Sequence, residues 1–541
     1  MNGLIYTLYG AQLVQRGLSS EVSNYRSGAR DYLKQLARDF IEMVKSKYNN
    51  ISMDSSLNYN ASGVIVMNFT SDNIYKFRKY RNMKKILYRI EKDSLGEIKV
   101  PKNVLYGAQT QRAINNFQIS WSRFDPMFIE SLAALKGACA IANNKSKLIS
   151  AKLAKSIYQC SLDIHNNIEN YYDQFPIDIY QTGSGTSTNM NMNEVLSSLV
   201  SKKIKTKVHP NDDVNKSQSS NDVIPTTMNI SSVILALELN DAIDFLVMRL
   251  IEKEWEFKDI IKSGRTHLMD AVPLSLGYEI ETWREQLLHC NEILMQSKNE
   301  LEFLPIGGTA IGTGLNAPKS FSKHVCVELN KIYKKYKIKF TPNPNKAEMI
   351  SSQNHILTMS SALLRLSSSL TKISNDLRWM NSGPISGLSE ITLKPLQPGS
   401  SIMPGKINPV IPEAVLMAMA QISGNHNTIS LACISGSFQL NTMLPVIAHN
   451  IIESFNLLIN SVYSISETIS TFKVNKDNIK TNLERNPIIA TKLNEVIGYD
   501  LASAIVKEAY KTNQPIIDIA LKRTSLTKSQ LIKLLDPKKL I

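Results

Sequence analysis

Eleven residues, Gly399-Ser400-Ser401-Ile402-Met403-Pro404-Gly405-Lys406-Ile407-Asn408-Pro409, gather two hydroxyls, a lysine, a carboxamide and paired glycines and prolines. Val410-Ile411-Pro412-Glu413 follows, and the apolar run from Ala414 to Ala420 reads as a helix. Glycine lets a backbone turn through positive φ and approach a ligand, while proline stiffens the turn on either side. This composition fits a mobile loop whose amides and lysine converge on an anion. An ordinary surface turn also uses Gly, Pro and Ser, so the loop has to be weighed with the rest of the chain.

Three further polar islands interrupt a largely helical text. Thr182-Gly183-Ser184-Gly185-Thr186-Ser187-Thr188-Asn189-Met190-Asn191 leads into Glu194 and reads as a turn capping a helix. Hydroxyls and free amides at such an N-terminus suit a carboxylate. His209-Pro210-Asn211-Asp212-Asp213-Val214-Asn215-Lys216-Ser217-Gln218-Ser219-Ser220-Asn221-Asp222 reads either as a solvated loop or as a second set of anion donors. Val223, Ile224 and Pro225 follow it and place it at a helix start. Gly264-Arg265-Thr266-His267-Leu268-Met269-Asp270-Ala271-Val272-Pro273 carries a histidine, which can exchange a proton near neutral pH. A lone histidine is more often structural than catalytic.

The elements that must position these islands are long helices. Leu239, Ile243, Leu246 and Leu250 step by four, three and four, and Ile356, Met359, Leu363, Leu366, Leu370 and Ile373 alternate threes and fours. That is a narrow apolar seam, which long helices have to bury against other helices, of the same chain or of other subunits. From about Lys473 the text shortens into small amphipathic helices at Ala490–Ile497, Tyr499–Tyr510, Ile516–Leu521 and Lys528–Leu535. Residues 1–82 differ from the rest. Leu33, Leu36, Phe40 and Val44 have helical spacing, Val64–Met67 reads as a short strand, and the basic run Lys76 to Lys85 reads as a solvated linker.

At 541 residues, 43% apolar and 20% charged, the chain has room for several domains and an ordinary soluble composition. No apolar run is long enough for a membrane span. The net charge of +15 is spread along the chain without a nucleic-acid motif, so a Lys/Asn/Ile-rich coding bias accounts for it. A basic surface also attracts a small dianion. Five scattered cysteines, Cys139, Cys160, Cys290, Cys326 and Cys433, argue against a disulfide framework or zinc site and for a reducing compartment. No secretory signal stands out, and Glu21, Asp31, Asp39 and Glu42 count against a transit peptide, so cytoplasm is expected.

The loop at Gly399 resembles the GSSxMPxKxNP signature of the fumarase/aspartase superfamily. The islands at Thr182 and His209 resemble the SGTxTNMN and HPNDxVNxSQSSND segments of class II fumarases, and the His267 island resembles another signature. Leu304 to Asn316 matches a further shared stretch. Arg89 to Arg112 is similar to the opening of class II fumarases, which makes Met83 an expected natural start and residues 1–82 an extension of unknown role. The resemblance covers roughly residues 89–541.

It implies an all-α, three-domain fumarase/aspartase fold, with a lyase domain over 83–217, a central long-helix bundle over 218–472 and a small helical domain over 473–541. The bundle would assemble into a tetrameric core, with each active site shared between three subunits of a homotetramer. The implied reaction is the reversible hydration of fumarate to L-malate, a step of the tricarboxylic acid cycle. Ser400 would be the base, with its oxyanion stabilised by loop amides and Lys406. Across the substrate, His267 oriented by Glu413 would activate or protonate water. Ser184, Gly185, Thr186, Ser219, Ser220, Asn221, Thr266, Ser401, Lys406, Ile407 and Asn408 would bind the dicarboxylate, and His209, Pro210, Asn211 and Asp212 match a second, non-catalytic dicarboxylate site. No metal or organic cofactor is implied. The alternative is aspartate ammonia-lyase. His209, His267 and Gly405 favour fumarase, whereas Val410-Ile411-Pro412-Glu413 looks aspartase-like.

Overall fold

The computed structural model describes residues 87–512 and 514–536, together with two paired strands at Asn58–Tyr59 and Ile65–Val66. The chain divides by contact into residues 1–86 and 87–541. In the first unit the strand at Ile65–Val66 lies within the Val64–Met67 stretch. The helix expected near Leu33–Val44, the basic run after Lys76 and Met83 lie outside the described residues.

The second unit is all-α. Among its described residues, strands of more than two residues occur only in two antiparallel hairpins, Tyr88–Asp93 with Gly96–Pro101 and β1 (Ile261–Thr266) with β2 (Met269–Ser275). Seven long helices do the building. They are α1 (Pro126–Lys145), α2 (Thr186–Ile204), α3 (Ser220–Phe257), α4 (Leu276–Leu301), α5 (Asn354–Met380), α6 (Val410–Cys433) and α7 (Leu444–Thr471). Helix α3 packs on α4, α4 on α5, α5 on α6, α6 on α7, and α7 returns to α3, which closes a ring. Helix α1 packs on α3 from outside that ring.

Helix α3 shows how sequence sets this arrangement. Every residue from Asp222 to Ala236 is buried, so its first half is enclosed on all sides. From Leu239 the apolar face narrows, and Leu239, Ile243, Leu246 and Leu250 are fully buried. The matching seam of α5, Ile356 to Ile373, is equally buried. Each such side chain contributes roughly 1.5–3 kcal/mol relative to exposure. At the outer edge, Glu194 of α2 accepts the amides of Gly107, Gln109 and Thr110 and the Thr110 hydroxyl. It thereby anchors the N-terminus of the helix Ala108–Asn116.

A second apolar cluster runs from Leu483 to Leu535, while the main one spans Val100 to Phe472. Helices Tyr499–Thr512, Ile516–Arg523 and Lys528–Leu534 lie where amphipathic spacing places them. The stretch read as a helix over Ala490–Ile497 instead starts as a 3₁₀ turn, Pro487–Leu493, before a short helix at Asn494–Ile497. Asn486 explains the tight turn: its side chain accepts the Ile488 amide and donates to Ser263 and to the Ala271 carbonyl. The five cysteines are free and buried. Among the described residues no helix is long and apolar enough to cross a membrane.

His355, at the start of α5, is buried and meets the Asn229 Oδ1 of α3 through Nε2 at 3.0 Å. Burial pushes its imidazole down from 6.5 to about 4. The unfolded chain therefore takes up a proton first as pH falls. This contribution to stability is complete above about pH 6.5 and declines toward pH 4, by about 3 kcal/mol. Denaturant midpoints should drop over that range, and His355→Gln should flatten the decline. An identical decline in the variant would assign it to other groups.

Candidate active site

Two helix N-termini meet at the first two islands. Thr186 is the first residue of α2 and Ser220 the first of α3. Their hydroxyl oxygens lie 2.8 Å apart, and the Ser184 Oγ lies 2.9 Å from the Thr186 Oγ1. Gly185, at φ +70°, makes the turn into α2, and a Cβ there would stand 2.9 Å from the Ile224 Cγ1. The half-buried Ser184, Thr186 and Ser220 thus line up over two positive helix ends, an arrangement suited to a carboxylate.

Asp222 fixes this arrangement. Its Oδ1 accepts the Ser219 amide at 2.9 Å, closing a capping box in which the Ser219 Oγ accepts from the start of α3. Its Oδ2 accepts the amides of Gly307 and Thr309 at 2.8 and 2.9 Å. Asn221 then donates to the Ala310 carbonyl at 2.8 Å. Burial raises the Asp222 carboxyl to about 6, opposed by these amides and by Lys136. Behind the cap, the buried Lys136 of α1 donates to the Asn215 Oδ1 and the Gln218 Oε1 at 3.0 and 2.9 Å. Asn189 and Asn193 of α2 donate to the same Asn215 oxygen. Burial pulls the Lys136 ammonium down to about 7.

The signature loop is closed on itself. The Gly399 amide donates to the Lys406 carbonyl at 2.9 Å, and the Asn408 side chain donates to the Gly399 carbonyl at 2.9 Å. A Cβ on Gly399 would lie 2.3 Å from the Lys406 oxygen, so the close approach requires glycine. Inside the loop the Ser400 Oγ accepts the amides of Ile402 and Met403 at 3.3 and 3.2 Å. Ser400 is half-buried, whereas Ser401, Lys406 and Ile407 are exposed. Glu413 lies half-buried in the first turn of α6.

His267 and Leu268 form the two-residue turn of the β1–β2 hairpin, closed by the Thr266–Met269 pair. Both have positive φ, 56° and 60°, which is costly for residues with a side chain. Thr266 and His267 are exposed. Among the described residues no hydrogen bond or ion pair joins His267 to Glu413, or Ser400 to Lys406. Three groups are described in this chain: the hydroxyl cradle, the loop and the hairpin tip. His209 to Asp212 stand apart from these, where His209 caps a π-helical turn, Pro210–Val214, and its Nδ1 accepts the Asp212 amide at 3.1 Å. Among the described residues no three His, Cys, Asp or Glu side chains gather as a metal site.

Sequence reasoning quoted Asp222 but gave it no role, although Ser219 and Asp222 have the capping-box spacing. Lys136 went unnoticed. Its signal is a single lysine inside the apolar run Ala133-Ala134-Leu135-Lys136-Gly137-Ala138.

Residues 96–424 match a family model described as Lyase, and residues 489–541 match one described as Fumarase C C-terminus. The chain is 44% identical over 457 residues to a Pseudomonas aeruginosa protein named fumarate hydratase class II 2, covering 84% of this chain and 98% of that one. It is 40% identical over 461 residues to the Bacillus subtilis fumarate hydratase class II, covering 84% and 99%. Among solved structures, the recombinant class II fumarase of Schistosoma mansoni superposes with a TM-score of 0.81 at 35% identity, over 84% of this chain and 99% of that chain. A Brucella melitensis fumarate lyase:delta crystallin, solved bound to cobalt, gives 0.80 at 36% over the same shares.

Asp222→Asn places an NH₂ group among converging N–H donors. We expect a loss of about 1–3 kcal/mol in stability for each donor left unpaired. Hydrogen exchange should quicken in the peptide spanning 304–316 and stay unchanged in the α5 seam. Unaltered exchange at Gly307 and Thr309 would show that Asp222 does not hold that loop.

Proposed function

We propose, from the premise that this chain belongs to the lyase family of the class II fumarate hydratases, that it catalyses the reversible hydration of fumarate to L-malate. The observation that carries the chemistry is the Ser400 hydroxyl, whose oxygen accepts two backbone amides. A serine is normally far too weak to remove a proton from carbon. Amides aimed at its oxygen favour the alkoxide over the alcohol.

In the dehydration direction, Ser400 takes the C–H proton next to one malate carboxylate. Charge spreads onto that carboxylate, which becomes an aci-carboxylate. Lys406 and the free N–H of Asn408 answer this charge, with Ser401, Ile407 and the loop amides beside them. On the opposite face His267, oriented by Glu413, gives a proton to the departing hydroxyl and in hydration takes one from water. The Ser184–Thr186–Ser220 cradle, with Gly185, Ser219, Asn221 and Thr266, holds the carboxylates. The His209–Asp212 turn, exposed at its own helix start, is assigned as a second dicarboxylate site.

The site is assigned to a homotetramer in which three subunits contribute. Support comes from the outward apolar residues Phe245, Met248, Ile251 and Trp255 of α3. Cytoplasm is the assigned compartment, supported by five free buried cysteines.

The aspartase-like Val410–Glu413 keeps aspartate as the substrate to exclude. Purified protein should raise fumarate absorbance from L-malate and not from L-aspartate; the reverse would assign ammonia-lyase activity. Ser400→Ala should lower kcat by about 100-fold or more with assembly intact, and His267→Asn should cost less. Near-normal turnover by Ser400→Ala would remove the serine from its role.

A further inference from the structure

The hairpin that ends in His267 is fixed by a buried cluster of charge at its base. In a regular strand side chains alternate, so Lys262 and Arg265 would face opposite sides. The pairing register slips between Ser263 and Arg265, where Ala271 and Val272 of β2 together oppose the single residue Gly264, a bulge that bends and twists the hairpin there. Gly264 makes the bulge possible, because a Cβ there would lie 2.6 Å from the Val272 carbonyl oxygen. Both cations then reach one carboxylate. The Lys262 Nζ lies 2.6 Å from the Glu390 Oε2, and the Arg265 Nη2 lies 2.7 Å from the Glu390 Oε1. Glu279 of α4 is the second partner of Lys262, at 2.5 Å. Lys262 and Glu390 are almost completely buried, at 1% and 2% exposure. Two cations and two carboxylates thus balance inside the protein, where an unmatched member is strongly disfavoured.

Glu390 is itself firmly seated. Its amide donates to the Met380 carbonyl at the end of α5, and its carbonyl accepts the Asn475 amide. The segment it begins pairs Ile391–Thr392 with Lys473–Val474 and continues to the loop at Gly399. The tip beyond the base has no comparable support. His267 and Leu268 hold positive φ, and Thr266 to Asp270 are all exposed. The direction in which the imidazole projects is therefore set from the base.

We propose that Glu390, acting through Arg265 and Lys262, is a positioning residue for His267. The proposal rests on the assignment of His267 made above. Glu390 does not touch substrate. It holds the bulged base so that the strained turn presents the imidazole at one fixed place.

The test measures malate turnover in the full-length protein, in the wild-type and His267→Asn backgrounds. Glu390→Gln keeps the shape and removes the charge. In the wild-type background it should lower kcat about 10-fold, no more than His267→Asn itself does, while KM changes less than about threefold. In the His267→Asn background it should cost less than about threefold, because the group it positions is already gone. Glu390→Asp, which retains the charge, should recover part of the lost kcat. Arg265→Met leaves Glu390 paired with Lys262 and is compared in the same two backgrounds, so a Glu390→Gln protein that fails to fold leaves the question decided by this second variant. Equal losses in both backgrounds would mean that the cluster acts independently of His267 and would overturn the proposal. A wild-type enzyme without malate turnover would overturn the functional reading first, and the positioning role with it.

Discussion

The site depends on one buried carboxylate. Asp222 has little water around it, so its negative charge is tolerated only through the amides that converge on it, from Ser219, Gly307 and Thr309. Those amides come from the cap of α3 and from the Leu304–Asn316 loop. Satisfying one side chain therefore fixes both segments, and through them the directions of Ser220 and Asn221. Lys136 works from the other side, drawing Asn215 and Gln218 onto α1 while Asn215 also ties down α2. The hydroxyl cradle is the half-buried edge of a buried polar network. Its geometry is set by the buried groups behind it.

The other two groups are built on different physics. The Gly399 loop is held by its own backbone and by Asn408, with glycine at the one place where a side chain would collide. The His267 hairpin is held by a charge cluster beneath a bulge. Each piece is rigid at its root and open at its working end. At these ends Ser401, Lys406, Ile407, Thr266 and His267 are exposed.

Much of this was legible in the sequence. The apolar steps of Leu239–Leu250 and Ile356–Ile373 gave the long helices, because a narrow stripe at that period has to be buried. The islands stood out because small polar residues clustered at helix starts have few other uses. The hairpin around His267 was not legible, since its tight turn uses His-Leu in place of the Asn-Gly or Gly-containing pairs that normally signal positive φ. The pairing of Lys262 and Arg265 with Glu390 was equally hidden, because residues three apart in a strand are expected on opposite faces. The ties of Lys262 and Arg265 to Glu390 cross more than a hundred positions, and no local pattern announces them.

The central claim is that Ser400 and His267 serve one site from different copies of the chain. Mixing the impaired Ser400→Ala and His267→Asn proteins, after mild dissociation and reassembly, tests it directly. If the residues come from different subunits, mixed assemblies contain sites with both groups intact, and malate turnover should return toward about a quarter of the wild-type value, the fraction given by random pairing in a symmetric oligomer. If turnover stays at the level of the separate variants although subunits have exchanged, the two residues act within one chain and the account of a shared site is wrong.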